Sequence, residues 1–122
     1  IVFTYKIDVP AEFEQAKDFG FATMLSNLLE NAFIAVCKVP DSQERKVSVR
    51  IEPKKEQLII EIRNNYFGKL DISRETGLPV TDKVDGHGYG LVSVSNYARK
   101  SGALLKFRPE GQLLVVQYIT NL

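Results

Sequence analysis

Alternating apolar and polar side chains predict five strands in this chain. Residues 1–8 carry apolar side chains at every second position and end at a Val-Pro pair, which predicts a half-buried strand. The same alternation predicts strands at 46–52 and 58–62, joined by a polar turn, and at 103–107 and 112–119, joined by a Pro- and Gly-containing turn. Two hairpins indicate a sheet with antiparallel pairs.

Apolar positions three and four residues apart predict helices in two other parts of the chain. Residues 11–38 show this spacing, with a break near Gly20 and an end before Pro40, so they form one helix or two. A later helix begins among the glycines of 86–90 and ends near Gly102. Residues 65–86 have no sustained period and are predicted to form a long irregular lid.

The order of these elements predicts an α+β protein, a two-layer α/β sandwich. Its sheet is expected to be mixed and mostly antiparallel, with helices on one face. The 122 residues, of which 44% are apolar, suit one compact domain covering residues 1–122. Because the chain begins at Ile1 rather than Met, we expect it to be a fragment of a longer protein.

Charge and residue counts narrow the classes of function. The 16 Lys and Arg against 15 Asp and Glu leave a net charge of +1, so we expect no nucleic-acid partner and no direct membrane contact. A single cysteine, Cys37, excludes an internal disulfide, and a single histidine, His87, excludes multi-histidine zinc sites. We find no apolar run near the roughly 18 residues of a membrane-spanning helix.

The first candidate for chemistry is a pair of asparagines on the predicted first helix. Asn27 and Asn31 are four residues apart, so both amides lie on one helix face, with Glu30 adjacent. Asparagine is a poor helix former, and an amide oxygen suits a hard cation such as Mg²⁺ that a nucleotide's phosphates complete. Structural hydrogen bonds or exposure to water are the alternative explanation.

Two further candidates surround the predicted lid. Segment 86–91, GHGYGL, alternates glycines at a helix start, where backbone N–H groups and the helix dipole favour an anion such as phosphate. It is not a Walker-type P-loop, and a flexible hinge explains it equally well. Before the lid, the predicted strand at 58–62 runs into Asn64, whose amide is able to recognise a purine edge, although a plain turn is the alternative.

In this order and at these separations, the three candidates resemble the ATP-binding domain shared by gyrase, a heat-shock chaperone, histidine kinases and the mismatch-repair ATPase. This is the Bergerat fold, also called GHKL. Segment 27–32, NLLENA, is similar to its N box and segment 86–91 to its second glycine box. Segment 83–91 is most similar to sensor histidine kinases of the accessory gene regulator type.

The resemblance implies a role for each matching residue. Asn31 is the expected Mg²⁺ ligand, assisted by Asn27, and Glu30 is the candidate catalytic residue, as the glutamate that activates water in hydrolysing members. Asn64 replaces the aspartate that accepts from the adenine amino group, within a first glycine box that here reads NNYFG instead of Asp-x-Gly-x-Gly. The remaining expected nucleotide-binding residues are Lys83, His87, Gly88, Tyr89, Gly90 and Leu91.

The resemblance also implies an activity and partners. The expected function is binding of ATP and Mg²⁺ and donation of the γ-phosphoryl group to a histidine in a separate dimerisation domain, with a response regulator downstream. The parent protein is then a homodimer anchored in the membrane, with this domain in the cytoplasm. Because the acceptor is missing, we expect this fragment to bind ATP without phosphorylating itself.

Two other interpretations stay open. An anti-sigma-factor type serine kinase uses the same boxes without an attached phosphoacceptor domain. A non-catalytic interaction module with a degenerate Bergerat fold is consistent with the altered first glycine box at Asn64. Nucleotide binding separates this module from either kinase.

Overall fold

A computed structural model describes the backbone of residues 1–80 and 87–122 and the side chains of residues 1–80 and 90–122. Its elements in chain order are β1 Val2–Ile7, a 3₁₀ helix Glu14–Lys17, α1 Phe19–Cys37, β2 Lys46–Lys54, β3 Gln57–Asn65, α2 His87–Ser101, β4 Leu104–Glu110 and β5 Leu113–Asn121. The predicted break before the first long helix is confirmed, at Asp18.

The five strands form one sheet in the order β1-β2-β3-β5-β4. Strands β1 and β2 are parallel, because the chain passes through α1 between them, and the other three pairs are antiparallel. The predicted α+β architecture, a mixed and mostly antiparallel sheet with helices, is therefore confirmed. The described part of the predicted lid, residues 66–80, contains one isolated bridge, between Ile72 and Pro79.

Alternate residues of the central strands and one stripe of each helix form the hydrophobic core. In α1 the buried residues recur at three- and four-residue intervals, so one stripe of the helix faces the sheet. The buried core residues of the strands and helices include Val47, Val49, Ile51, Leu58, Ile60, Ile62, Met24, Leu28, Ala32, Val36, Leu91, Val94 and Tyr118. This packing fixes α1 and α2 side by side, with α1 over β2 and β3 and α2 toward β4.

Helix α1 corrects one expectation from the sequence. Its 19 residues are, by length and composition alone, apolar enough to cross a membrane, although we expected no such segment. The mean hydropathy of the helix is high because Glu30 is its one charged residue. Core helices of soluble proteins share this length and composition, and five residues of α1 are buried in the core.

Strand β1 differs from the prediction of a half-buried strand, since all six of its residues are exposed. It is an edge strand, and neither long helix covers it. Contact with the helical layer is made by Phe3, whose ring stacks on Phe33 of α1 with centroids 5.6 Å apart. Alternation in the sequence therefore predicted the strand correctly but not how much of it is buried.

Candidate functional site

The end of β3 holds a buried amide with an unsatisfied oxygen. Asn64 is 1% exposed, and its side chain lies on the helix-facing side of the sheet, in line with Ile60 and Ile62. Its Nδ2 donates to the carbonyl oxygen of Asn65 at 2.9 Å, which orients the amide. Its Oδ1 is buried and has no hydrogen-bond partner among the described residues. Leaving such an acceptor unpaired costs about 1–3 kcal/mol, so the site is suited to a donor from a ligand.

The neighbouring Asn65 has a structural role instead. Its Oδ1 accepts from the backbone N–H of Lys46 at 2.7 Å, which ties the end of β3 to the start of β2. The Asn65 side chain thus bonds to the backbone of β2, whereas the Asn64 side chain lies in the interior. Of the two, Asn64 alone offers an acceptor on the helix-facing side.

The two asparagines of α1 are both half-buried, and neither hydrogen-bonds to a described residue. Asn27 faces the first turn of α2, where a Cβ added to Gly90 would lie 3.8 Å from the Asn27 Cγ. The structure therefore brings the first and second candidate segments together. Asn31 lies one turn further along α1, while Glu30 is exposed and its side chain forms no hydrogen bond or ion pair with a described residue.

Residues 87–90 of the second candidate segment form the first turn of α2. The first four N–H groups of a helix have no intrahelical acceptor, so this turn offers donors and partial positive charge close to Asn27. Leu91 is 2% exposed and packs in the core, so it anchors the turn through its side chain. Lys83 lies outside the described residues, and of His87, Gly88 and Tyr89 the helical backbone alone is described.

A contact between Asp18 and Tyr97 holds the two helices that carry the site. The Asp18 carboxylate caps α1 by accepting from the Gly20 N–H at 2.9 Å and accepts from the Tyr97 hydroxyl at 3.0 Å. A Cβ at Gly20 would lie 2.9 Å from the Tyr97 ring, so the close approach requires glycine. Burial first, and then the bond to Asp18, raises the pKa of Tyr97.

Sequence reasoning missed this helix contact, although part of its signal was present. An aspartate two residues before a glycine, at the break between two helical segments, is a typical N-cap. The partner Tyr97 lies 79 positions away in sequence, and no local pattern predicts such a pairing.

The opposite face of the sheet carries a polar groove without any of the predicted site residues. Its lining includes Thr4, Lys6, Ser48, Arg50, Glu61 and Arg63. Glu61 bonds to Arg63 at 3.2 Å and to Gln117 at 3.0 Å, so the charges within the groove are partly satisfied. The candidate site is therefore on the helical side, between Asn64, Asn27 and the start of α2.

Comparison with known proteins identifies the family of this chain. A family model described as the GHKL domain matches residues 17–120. The chain belongs to the GHKL domain family. The match begins at residue 17, just before the Asp18 cap of α1, and ends at Thr120, the penultimate residue of β5. It therefore includes all three candidate segments. No curated protein matches the chain significantly.

Solved histidine kinase structures share the fold of this GHKL domain. The histidine kinase domain of a blue-light activated histidine kinase from Erythrobacter litoralis EL346 has a TM-score of 0.70 at 18% identity, over 99% of this chain and 51% of that chain. The catalytic domain of histidine kinase ThkA has a TM-score of 0.64 at 15% identity, over 98% of this chain and 76% of that chain. Histidine kinase AdeS from Acinetobacter baumannii has a TM-score of 0.59 at 17% identity, over 84% of this chain and 45% of that chain.

These matches confirm the resemblance to the GHKL fold found in the sequence. The chain spans about half the length of the Erythrobacter litoralis histidine kinase domain. At these identities the likeness shows the fold, and the function of each site residue stays a prediction.

Proposed function

We propose that this GHKL domain binds ATP with Mg²⁺ and is the catalytic and ATP-binding domain of a sensor histidine kinase. The observation that carries the proposal is the buried, unpaired Oδ1 of Asn64. It lies on the same side of the sheet as the two helices that bring Asn27 to the start of α2. An acceptor for a base and donors for phosphates are thus present on one side of one sheet.

The Asn64 amide suits adenine because its free atom is the oxygen Oδ1, an acceptor. Its Nδ2 is already used by the Asn65 carbonyl, so the group left for a ligand is an acceptor. Adenine presents an exocyclic amine donor where guanine presents a carbonyl oxygen. The site therefore favours ATP, since a guanine oxygen facing Oδ1 would leave two acceptors opposed.

The phosphate end of the site is built by α1 and α2. The first-turn N–H groups of α2 are the donors for phosphate oxygens, and the absence of a Cβ at Gly90 leaves room beside Asn27. Asn31 supplies an amide oxygen as the Mg²⁺ ligand, with Asn27 assisting one turn earlier. Mg²⁺, when bound, neutralises phosphate charge. Lys83, which lies outside the described residues, is proposed from the sequence resemblance alone as a further cation for the phosphates.

Phosphoryl transfer needs positioning and charge neutralisation more than it needs covalent chemistry from the protein. This chain holds the base at Asn64 and the phosphates at the start of α2, and the acceptor histidine belongs to a separate domain of the same protein. Residues 1–122 are then one domain of a longer, membrane-anchored homodimer, with a response regulator downstream. The shared fold with histidine kinase catalytic domains supports this assignment.

Calorimetric titration of the chain with a non-hydrolysable ATP analogue, with and without Mg²⁺, tests the phosphate end. Mg²⁺ is expected to tighten binding of the analogue. Asn31→Ala is expected to make this gain in affinity about tenfold smaller, since one lost interaction of about 1.4 kcal/mol changes Kd about tenfold. The matched control is Asn96→Ala, since Asn96 is an exposed asparagine of α2 without a described contact. Equal Mg²⁺ dependence in all three proteins would contradict the role of Asn31.

Transfer itself is tested with ATP carrying a labelled γ-phosphate. Label is expected on an added histidine phosphoacceptor domain of the parent protein and not on this chain. Acid-labile label on His87 of the isolated chain would contradict the assignment of the acceptor to another domain.

A further inference from the structure

Strand β1 presents apolar side chains that the fold leaves uncovered. Phe3, Tyr5 and Ile7 pair with Val47, Val49 and Ile51 of β2, so they lie on the face of the sheet that is buried elsewhere. They are nevertheless 43%, 69% and 57% exposed. An exposed apolar strand at a sheet edge is a surface that soluble proteins normally block or pair.

The backbone of the same three residues points outward. The N–H of Val2 bonds to the carbonyl of Arg45 and that of Asp8 to the carbonyl of Ile51, both at 2.7 Å. In parallel pairing the even-numbered residues of β1 therefore face β2, and the odd-numbered residues direct their N–H and C=O groups to the free edge. A helix laid over this face leaves those groups to water, whereas another strand bonds to them.

We propose that two copies of this chain associate through antiparallel pairing of β1 with β1 of the second copy. A two-fold axis beside Tyr5 places Tyr5 opposite Tyr5 and Phe3 opposite Ile7. Each of these residues then uses its outward N–H and C=O, and all of their side chains lie on the same face. The contact is closed, so it produces a dimer with a ten-stranded sheet rather than a filament.

Charge is compatible with this register. On the opposite face Lys6 lies across from Thr4, and Asp8 lies across from Val2, so no like charges are directly opposed. Lys6 also keeps its ion pair with Glu52 of its own chain, at 3.7 Å. A shift by one pair toward the C-terminal end of β1 would place Lys6 opposite Lys6, which disfavours that register.

The six-residue strand makes a small interface, so the dimer is expected to be weak compared with standard protein complexes of roughly 1,200–2,000 Å². Sedimentation equilibrium of the 122-residue chain up to about 1 mM covers the range expected for such a contact. The wild-type chain is expected to show a reversible monomer–dimer equilibrium. A chain that stays monomeric throughout would overturn the proposal.

Charge variants at Tyr5 test the register. Tyr5→Lys and Tyr5→Glu each place like charges opposite one another and are expected to weaken dimerisation at least about tenfold, whereas mixing the two restores it as a heterodimer. The control is Leu104→Lys, which changes a half-exposed leucine on the other edge strand and leaves dimerisation unchanged. Thermal unfolding by circular dichroism checks that every variant is folded.

Amide hydrogen exchange separates a strand pair from other contacts. The Phe3, Tyr5 and Ile7 amides are expected to exchange more slowly as the protein concentration rises, because they become bonded across the edge. A dimer that buries the side chains without slowing these amides, as helix docking would, overturns the proposal. The test uses no nucleotide, so its result is independent of ATP binding.

Discussion

At the scale of single residues, the Tyr97 hydroxyl connects α2 to the cap of α1. It donates to Asp18 at 3.0 Å, and burial and the Asp18 carboxylate both raise its pKa. The folded protein therefore keeps the phenol proton at a pH where the unfolded chain, with a tyrosine pKa of about 10, has begun to lose it. This contribution to stability is complete below that pH and is lost as the pH rises above it.

We predict that the free energy of unfolding falls above about pH 10 and that Tyr97→Phe reduces this slope. The variant is also less stable at neutral pH, because the bond to Asp18 is lost. Urea unfolding between pH 7 and pH 11 measures both effects. Burial raises the pKa of Tyr118 as well, so the double variant with Tyr118→Phe should flatten the curve further. An alkaline slope that both variants leave intact would contradict this account.

Sequence reasoning placed Asn64 where a strand meets the lid, and the structure has it near the end of β3. Its burial in line with Ile60 and Ile62 was not predicted, because the predicted strand ended at residue 62. What the sequence did not reveal is that its Nδ2 is used internally by Asn65. That bond depends on the backbone conformation at the strand end, which no side-chain pattern encodes.

At the scale of elements, a buried polar network joins the 3₁₀ helix, α2 and β5. The Tyr118 hydroxyl donates to the Gln15 Oε1 at 2.9 Å and lies 3.0 Å from the Ser101 Oγ. The Gln15 Nε2 donates onward to the Thr120 hydroxyl at 2.7 Å. Because Tyr118 is fully buried, the network holds these three elements together in the interior.

We predict that Tyr118→Phe destabilises the protein by about 1–2 kcal/mol, since it leaves two buried or half-buried partners without their bond. Urea unfolding at neutral pH gives the value. Tyr5→Phe is the matched control, because the Tyr5 hydroxyl has no described partner and its loss should change stability by less than about 0.5 kcal/mol. Equal effects of the two changes would show that the network contributes little.

The hairpins show why strand boundaries were harder to predict than the strands themselves. We expected Pro53 and Pro109 to lie in turns, but both lie within strands. Pro109 is in the edge strand β4, and Pro53 follows the last residue of β2 that pairs with β1, so neither missing N–H breaks the ladder. The first turn is instead the two residues at 55–56, where Lys55 adopts a φ of 58°.

At the scale of the whole molecule, the sequence predicted the layers and the family but not which strand lies at the edge. Periodicity assigns residues to faces, and that was sufficient for a mostly antiparallel sheet with helices on one side. Strand order is decided by long-range pairing, here the insertion of β5 between β3 and β4. The exposure of β1 follows from its place at an edge that neither long helix covers.

The same scale explains how distant segments make one site. Asn27, Asn64 and Gly90 belong to α1, β3 and α2, and packing of the two helices over the sheet brings their elements to one side. Sequence order and motif type predicted these three residues as members of a site, and that membership stays a prediction. The proximity of Gly90 to Asn27 required the structure, because it depends on how the two helices pack.

We expect Asn64 to select adenine over guanine, and calorimetric titration with ATP and GTP analogues measures this selection. The wild-type chain is expected to bind the ATP analogue more tightly, and Asn64→Ala to weaken that binding about tenfold while narrowing the preference over GTP. Asn121→Ala, at an exposed asparagine ending β5, is the control and should match the wild type. ATP affinity unaffected by Asn64→Ala, or no ATP binding by the folded wild-type chain, would contradict the account.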